Sequence, residues 1–258
     1  MLKLATVFYN PSTEDVNYFK KMSNFIDVVA YLNSSHDVDE YSGIMMLGNG
    51  TNIGLGAALN MIYSKFDDNC CLLYLDQDSR MSLDDIRILY QNAAIYDLKS
   101  TICVPLIVSD KGKSCLFHDF YWRFSWGISS GMLTTCGLVR KLGYFRADYF
   151  IDRIDFEFFY RAQKHGVLLQ CIKDIKLTQV FGSGENRNRY NKLRHYYQGR
   201  NAVLFSLRDS CHPIRGVFFL IIQLAKRLSI AFVKFDTHEI FHYIRGFYAG
   251  VKCILPLH

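Results

Sequence analysis

Two carboxylates, Asp76 and Asp78, follow the short apolar run 71–75 and are separated only by Gln77. Like charges this close repel each other unless a cation or strong hydrogen-bond donors offset the repulsion. A hard divalent ion such as Mg²⁺ or Mn²⁺ takes oxygen ligands, keeps positions open for phosphate oxygens and stabilises the charge of a leaving diphosphate. The spacing therefore favours a metal site with Asp78 and Asp76 as ligands. Capping of the following turn by Asp78 is the alternative.

A second acidic cluster contains Asp152, Asp155 and Glu157. If this segment is helical, Asp152 and Asp155 are i, i+3 neighbours on one face, and Arg161 lies four residues beyond Glu157 as a salt-bridge partner. A carboxylate here could act as a general base. The alternative is an acidic first turn that interacts favourably with the helix dipole.

A basic segment, residues 186–201, carries Arg194 and Arg200 among several tyrosines. Guanidinium groups bind phosphate oxygens through two donors at once. Single-stranded nucleic acid is also bound by basic and aromatic residues together. A solvated helix face is the third interpretation, and we expect no nucleic acid.

Alternating strands and helices must position these residues. A helix is predicted over 55–66 from its apolar stripe, and another begins at Ser82, where Asp85 completes a capping box. Strands are predicted at 3–9, 26–32, 43–47, 71–75 and 101–108. Continuous apolar strands that alternate with helices indicate an α/β fold with a mostly parallel sheet. Ligands of such sheets lie beyond the carboxyl ends of the strands, where Asp76 and Asp78 fall.

Composition limits the class of protein. Half of the 258 residues are apolar and 15% are aromatic, which predicts a substantial core and argues against disorder. The net charge of +6 suits an anionic partner. The eight cysteines are scattered without a CxxC pair, so we expect reduced thiols and no zinc site. Without a recognisable leader or an apolar run of spanning length, we expect a cytoplasmic protein.

From about residue 205 the sequence becomes more apolar and aromatic. We therefore divide it into a domain at 1–204 and a tail of amphipathic helices at 205–258. Within the run 216–235, the polar residues Gln223, Lys226, Arg227 and Lys234 fall on one narrow face at helical spacing. Such helices suit peripheral contact with the cytoplasmic face of an inner membrane. The alternative is that these helices pack on the domain or on a second subunit of a homodimer, and the sequence does not distinguish the two interpretations.

Six motifs occur in an order that resembles glycosyltransferase family 2, and within it the bacterial rhamnosyltransferase-like branch. They are "VFYNP" at 7–11, "NSS" at 33–35, "NIGLGAALN" at 52–60, "LDQDS" at 75–79, "YFIDRIDFEFFYRAQKHG" at 149–166 and "LRHYYQGRN" at 193–201. The resemblance implies a GT-A fold, nucleotide-sugar donors and inversion at the anomeric carbon. "GLGAAL" at 54–59 lacks the third glycine of a dinucleotide-binding loop and does not follow the first strand.

The resemblance also implies roles for individual residues. Asp155 is the general base, with Asp152 as the second candidate, and Mg²⁺ or Mn²⁺ binds Asp78 and Asp76. The acceptor lies near Trp126, Ser130 and Gly131. Residues for the nucleotide-sugar are Phe8, Tyr9, Asn10, Asn33, Asn52, Gly54, Asp76, Gln77, Arg194 and Arg200.

The sequence thus predicts a metal-dependent inverting glycosyltransferase of surface-polysaccharide assembly, such as O-antigen or capsule. It would move a sugar, for example rhamnose from dTDP-rhamnose, to a lipid-linked or saccharide acceptor. One alternative is transfer of a hexose or N-acetylhexosamine from a UDP-sugar. Another is a catalytically silent saccharide- or nucleotide-binding subunit, because Leu32 stands where the family commonly has a base-contacting Asp.

Overall fold

A computed structural model describes residues 1–34, 41–109, 112–114, 117–119, 121–178, 187–234 and 237–255. The chain forms two compact units, of which the first contains residues 1–148 and 158–181. The second contains residues 149–157 and 182–258. The predicted division at 204/205 remains a prediction.

The first unit is built on an eight-stranded sheet with the strand order β10-β5-β9-β4-β1-β2-β3, and β6 pairs with β5. The strands of the sheet are β1 (Leu2–Phe8), β2 (Val28–Leu32), β3 (Met45–Leu47), β4 (Cys71–Tyr74), β5 (Thr101–Ser109), β6 (Gly112–Ser114), β9 (Leu133–Thr135) and β10 (Leu168–Thr178). A separate hairpin pairs β7 (Phe117–Asp119) with β8 (Phe124–Trp126).

The sheet is mainly parallel, as the sequence predicts. Strand β1 pairs in parallel with both β2 and β4, β2 pairs in parallel with β3, and β10 pairs in parallel with β5. Strand β9 lies antiparallel between β4 and β5. The five predicted strands are all present as β1 to β5, and every residue of β4 is buried, which explains its continuous apolar sequence.

Helices α1 (Thr13–Ser23), α2 (Leu55–Ser64), α3 (Leu83–Ala93) and α4 (Cys136–Lys141) belong to the first unit. Helix α3 starts as predicted, because the Ser82 hydroxyl accepts a hydrogen bond from the Asp85 amide at 3.0 Å. The predicted stripe of α2 is buried at Leu59, Ile62 and Tyr63. Helix α5 (Ile154–Lys164) begins in the second unit and continues in the first.

The second unit contains α6 (Arg187–Leu204), α7 (Pro213–Lys234) and α8 (Thr237–Ile254). Helices α6 and α8 approach so closely that a Cβ atom at Gly246 would lie 1.8 Å from the Tyr196 carbonyl oxygen. Only glycine permits this backbone contact. Within the described residues, no helix has both the length and the apolar character needed to cross a bilayer.

The cysteine prediction needs one correction. Among the described residues, free thiols belong to Cys70, Cys71, Cys103, Cys136, Cys211 and Cys253. Cys171 in β10 is instead disulfide-bonded, with a partner outside the described residues. Scattered spacing alone cannot reveal such a pair, since it depends on which strands the fold brings together.

Candidate functional site

The carboxyl ends of β1, β2 and β4 place the predicted donor-side residues at one edge of the sheet. Phe8 pairs with Leu32 at the last position of the β1–β2 ladder, and the Asn33 amide donates to the Phe8 carbonyl at 2.8 Å. On the other side of β1, the Leu75 amide donates to the Ala5 carbonyl at 2.9 Å. The segments 8–10, 33–34 and 75–78 therefore lie side by side, as expected for neighbouring parallel strands.

Gln77 joins two of these segments through its side-chain amide. Its Oε1 accepts from the Tyr9 amide at 2.7 Å, and its Nε2 donates to the Tyr9 carbonyl at 3.2 Å. Asn10, which follows, has a left-handed backbone with φ of 46° and donates its amide to the Ser34 hydroxyl at 2.8 Å. The Gln77 side chain thus positions the acidic turn against the end of β1, while the Tyr9 side chain is exposed.

Buried hydroxyls support the acidic turn from below. Ser130 is fully buried, and its Oγ accepts from the Asp76 amide at 3.0 Å and lies 2.8 Å from the Ser79 hydroxyl oxygen. The Tyr74 hydroxyl donates to Asp76 Oδ1 at 2.9 Å. Buried hydroxyls therefore hold both the backbone and the carboxylate of Asp76.

Arg80 fixes the far side of the same turn. Its guanidinium donates to the Gln77 carbonyl at 2.7 Å and to the Asp15 carboxylate at 2.5 Å. Asp15 is itself buried at the start of α1, where it forms a capping box with Ser12. The ion pair therefore ties the acidic turn to the amino end of α1.

Asp76 and Asp78 supply carboxylate oxygens, the ligand type that a hard divalent ion takes, and the metal site itself stays a prediction. Asp78 is exposed, and desolvation raises the pKa of its carboxyl, with the nearby Asp15 carboxylate acting in the same direction and Arg80 opposing it. Among the described residues, no group of three or more His, Cys, Asp and Glu side chains is arranged to hold a metal by itself. Two carboxylates that leave further positions to phosphate and water oxygens form the kind of set that Mg²⁺ and Mn²⁺ use.

Two asparagines shape the loop before α2. Asn33 is buried, and its Oδ1 accepts from the Ile53 amide at 2.8 Å. Asn52 is exposed, and its Oδ1 accepts from the Gly54 amide at 3.0 Å. Gly54 has φ of 84°, a left-handed conformation that favours glycine at the N-cap of α2. Both asparagine side chains therefore order the backbone that leads to α2.

The predicted acceptor residues have different surroundings. Trp126 is half-buried at the end of β8, with its ring centroid 4.9 Å from that of Phe117. Gly131 is buried, with φ of 86° and its amide donating to the Tyr74 carbonyl at 2.7 Å. Since Ser130 bonds the acidic turn from the interior, the structure gives it a positioning role, and its contact with an acceptor remains a prediction.

In the second unit, the predicted site residues lie around the loop 149–153. Phe150, Asp152 and Arg153 all have left-handed backbones, with φ of 62°, 62° and 60°. Such conformations are costly for residues other than glycine, and they persist where the surroundings hold them. Here the holding group is Asn201, which is fully buried and whose Nδ2 lies 2.9, 2.8 and 2.9 Å from the carbonyl oxygens of Tyr149, Ile151 and Asp152.

Asp152 and Arg194 form an ion pair in this unit. Arg194 Nε donates to Asp152 Oδ1 at 3.0 Å, with 10% of the Asp152 side chain and 45% of the Arg194 side chain exposed. Burial raises the pKa of Asp152, and the Arg194 charge opposes that shift. Asp152 is thus occupied in orienting Arg194, while much of the arginine still faces solvent.

Asp155 lies in the first turn of α5 and is half-buried, with its Oδ1 accepting from the Phe156 amide at 2.8 Å. Glu157, one residue beyond Phe156, is almost fully buried. In the first unit, Arg161 donates to the carbonyls of Leu142 and Tyr144. Both Asp152 and Asp155 are half-buried and hydrogen-bonded, and the general base stays a prediction.

Arg200 lies on α6 and donates to the Asn201 side-chain oxygen at 3.2 Å. His195, also on α6, lies with its Nε2 3.5 Å from the Glu239 carboxylate of α8. The predicted site residues therefore form two groups, one at the sheet edge of the first unit and one around the loop 149–153 of the second.

Sequence analysis missed several residues that hold these groups. Arg80 and Ser79 directly follow the acidic pair, so their position next to it was an available signal. Asn201 ends the motif at 193–201, but its partners lie 49 to 52 residues earlier in the chain. No local pattern predicts so distant a set of contacts.

Comparison with known proteins supports this interpretation of the fold. No family model matches the chain. A curated relative, the dTDP-rhamnosyl transferase RfbF of Shigella flexneri, is 26% identical over an alignment of 251 positions, and the alignment covers 84% of each chain.

Solved structures with the same fold include two glycosyltransferases. The S. aureus TarS fragment 1–349 in complex with UDP-GlcNAc aligns with a TM-score of 0.62 and 13% identity, over 98% of this chain and 81% of that one. The mannosyltransferase PcManGT of Pyrobaculum calidifontis, in complex with GDP-Man and Mn²⁺, aligns with a TM-score of 0.56 and 10% identity, over 100% and 88%. These matches confirm the predicted GT-A fold and agree with the predicted enzyme class.

Proposed function

We propose that the chain is a metal-dependent inverting glycosyltransferase that moves a sugar from a nucleotide-sugar to a lipid-linked or saccharide acceptor. The observation that carries the proposal is the acidic turn at 76–78, which buried hydroxyls and Gln77 fix at the carboxyl edge of a mainly parallel sheet. Ligands of open α/β sheets bind at this edge.

Residues at the strand ends would bind the nucleotide-sugar donor. Tyr9 and Asn10 would receive the nucleobase, with Asn33, Asn52 and Gly54 shaping the neighbouring backbone. The structure corrects the prediction for Phe8, whose side chain is fully buried in the core and packs on Phe19 and Tyr41. Asp78 and Asp76 would hold Mg²⁺ or Mn²⁺, which supplies positive charge to the departing diphosphate. Arg194 and Arg200 would add charge-assisted hydrogen bonds to phosphate oxygens.

Acceptor activation is assigned to Asp155. An inverting transfer needs a carboxylate that removes the proton from the acceptor hydroxyl while that oxygen attacks the anomeric carbon. Asp155 lies in the first turn of α5, whereas Asp152 is paired with Arg194. We therefore propose Asp155 as the base, with Asp152 as the second candidate.

We propose dTDP-rhamnose as donor, on the similarity to the Shigella flexneri enzyme, and a cytoplasmic role in surface-polysaccharide assembly. A UDP-sugar is the second candidate, because the TarS structure contains UDP-GlcNAc. A silent nucleotide-binding subunit is the third candidate, because Leu32 is buried in the core and offers no polar side chain to a nucleobase.

The test is a hydrolysis screen of purified protein with dTDP- and UDP-sugars in the presence of Mn²⁺. We expect one donor to be hydrolysed, and Asp78→Ala to abolish the reaction. Arg87→Ala is the control because Arg87 lies on the exposed face of α3, where it forms a long ion pair of 3.7 Å with Asp84. Binding of a nucleotide-sugar without turnover of any donor would support the silent subunit instead.

A further inference from the structure

Helix α7 carries a row of large apolar side chains that face solvent. The first five follow the helical spacing i, i+3, i+4, i+7 and i+8, and the sixth lies two turns beyond the fourth, which places them all along one side of the helix. The row consists of Ile214 (77% exposed), Val217 (47%), Phe218 (61%), Ile221 (58%), Ile222 (56%) and Leu228 (48%). We call these six residues the outer row.

The opposite side of α7 packs against the second unit. Gly216, Phe219 and Leu220 are buried. Arg227 donates to the Gln198 side chain at 2.8 Å and lies 5.1 Å from the Tyr243 ring centroid. The structure therefore corrects the expected basic face, because Arg227 turns inward while Lys226 is exposed. What α7 presents to solvent is the apolar row, with basic residues beside it.

Helix α7 carries charge of one sign. The sequence of α7 contains Arg215, Lys226, Arg227 and Lys234 and no acidic residue. On α8, the exposed Arg245 and Lys252 accompany a single acid, Glu239, which pairs with His195. An apolar row bordered by cations complements a surface that is apolar inside and anionic at its boundary.

We infer that α7 lies in the surface of an anionic lipid bilayer, with the outer row inserted among the acyl chains and Lys226 near the headgroups. A protein partner or a second copy of the chain would satisfy the apolar row equally well. The uniform positive charge favours the lipid, because a second copy of this surface would bring like charges together.

The buried side of α7 contacts the loop 149–153 through Arg153. The Arg153 guanidinium carbon lies 5.7 Å from the ring centroid of Phe219 on α7 and 5.3 Å from that of Phe156 on α5. A helix with its side chains is about 10 Å across, so docking of α7 would bring the loop 149–153 within roughly that distance of the bilayer. The part of the inference that concerns a lipid-linked acceptor rests on the proposed function, whereas docking itself does not.

The experiment measures co-sedimentation of the full chain with phosphatidylcholine vesicles, with and without phosphatidylglycerol, in the absence of donor and metal. We expect the double variant Phe218→Ser/Ile221→Ser to bind anionic vesicles at least about tenfold more weakly than the wild type. Lys226→Glu should weaken binding to anionic vesicles only. Ile95→Ser is the matched control, since Ile95 is equally apolar and 77% exposed on the first unit, and it should bind as the wild type does.

Circular dichroism and light scattering complete the test. The variants should keep the wild-type helix content, because the changed residues face solvent. Absence of binding to anionic vesicles by the wild type would overturn the inference, as would equal loss in Ile95→Ser. A concentration-dependent dimer that the double variant abolishes, without vesicle binding, would assign the row to a second copy. If the wild type hydrolyses a donor but does not bind vesicles, docking alone is refuted. If it binds anionic vesicles but hydrolyses no donor, the proposed function alone is refuted.

Discussion

Removal of the Asn201 side chain tests whether the left-handed loop at 149–153 is held by one buried amide. In Asn201→Ala the three loop carbonyls lose their common donor, whose Nδ2 lies 2.8 to 2.9 Å from each of them. An amide has two N–H groups, so two full hydrogen bonds are lost at about 1 kcal/mol each. Carbonyls left unpaired in the interior add to this, and we expect a total loss of about 2–4 kcal/mol.

The same change should reduce turnover. Three residues of the loop hold left-handed conformations that cost about 1–2 kcal/mol each, so the loop should relax once its donor is gone. Because Asp155 follows the loop directly, we expect turnover to fall at least about tenfold, while nucleotide binding at the strand ends remains unchanged.

Urea unfolding, steady-state transfer and calorimetry with the nucleotide measure the three effects. Asn17→Ala, an exposed change on α1, is the control and should stay within about 0.5 kcal/mol of the wild type. An Asn201→Ala protein with wild-type stability and wild-type turnover would show that the loop does not depend on this amide.

Three further predictions concern other parts of the molecule. Asp155→Asn should lower turnover by at least about a hundredfold and leave nucleotide affinity intact, and a loss below about tenfold would remove Asp155 as the base. Desolvation raises the pKa of Asp78 in the folded protein above its value in the unfolded chain. Ionisation of this carboxyl therefore lowers the free energy of unfolding as the pH rises from the ordinary aspartate range through the folded pKa. Asp78→Asn should therefore be more stable than the wild type at pH 7, by less than about 1 kcal/mol since solvent screens this exposed group, and the urea midpoints should converge near about pH 3. Gly246→Ala should cost about 2 kcal/mol or more, because its Cβ would overlap the Tyr196 carbonyl, and an unchanged midpoint would show that α6 and α8 can separate freely.

The fold was predictable where burial or capping requires a recognisable local pattern of residue types. Strand β4 is buried along its whole length, so its apolar run identifies it, and the Ser82 cap marks the start of α3. Strand β9 has only three residues, Leu133–Thr135, and offers no period to detect although it completes the sheet between β4 and β5. Its existence depends on pairing with distant strands, which local propensity does not encode.

The candidate site shows the same division. Carboxylates two residues apart at a strand end indicate chemistry by their type and spacing alone. The groups that hold them were not predictable, because Ser130 lies 54 residues from Asp76 and the carbonyls bound by Asn201 are similarly remote. The sequence of α7 shows apolar and basic positions but does not determine which side meets the protein, and the inward turn of Arg227 shows why.

The central claim is that Asp76 and Asp78 hold a divalent ion that binds a nucleotide diphosphate. Calorimetric titration of dTDP and UDP into the wild type and Asp78→Ala, each with and without Mn²⁺, tests it most directly. We expect at least one nucleotide to bind the wild type only when Mn²⁺ is present, and Asp78→Ala to lose that binding. Nucleotide binding of equal strength without the metal, or in Asp78→Ala, would contradict the claim.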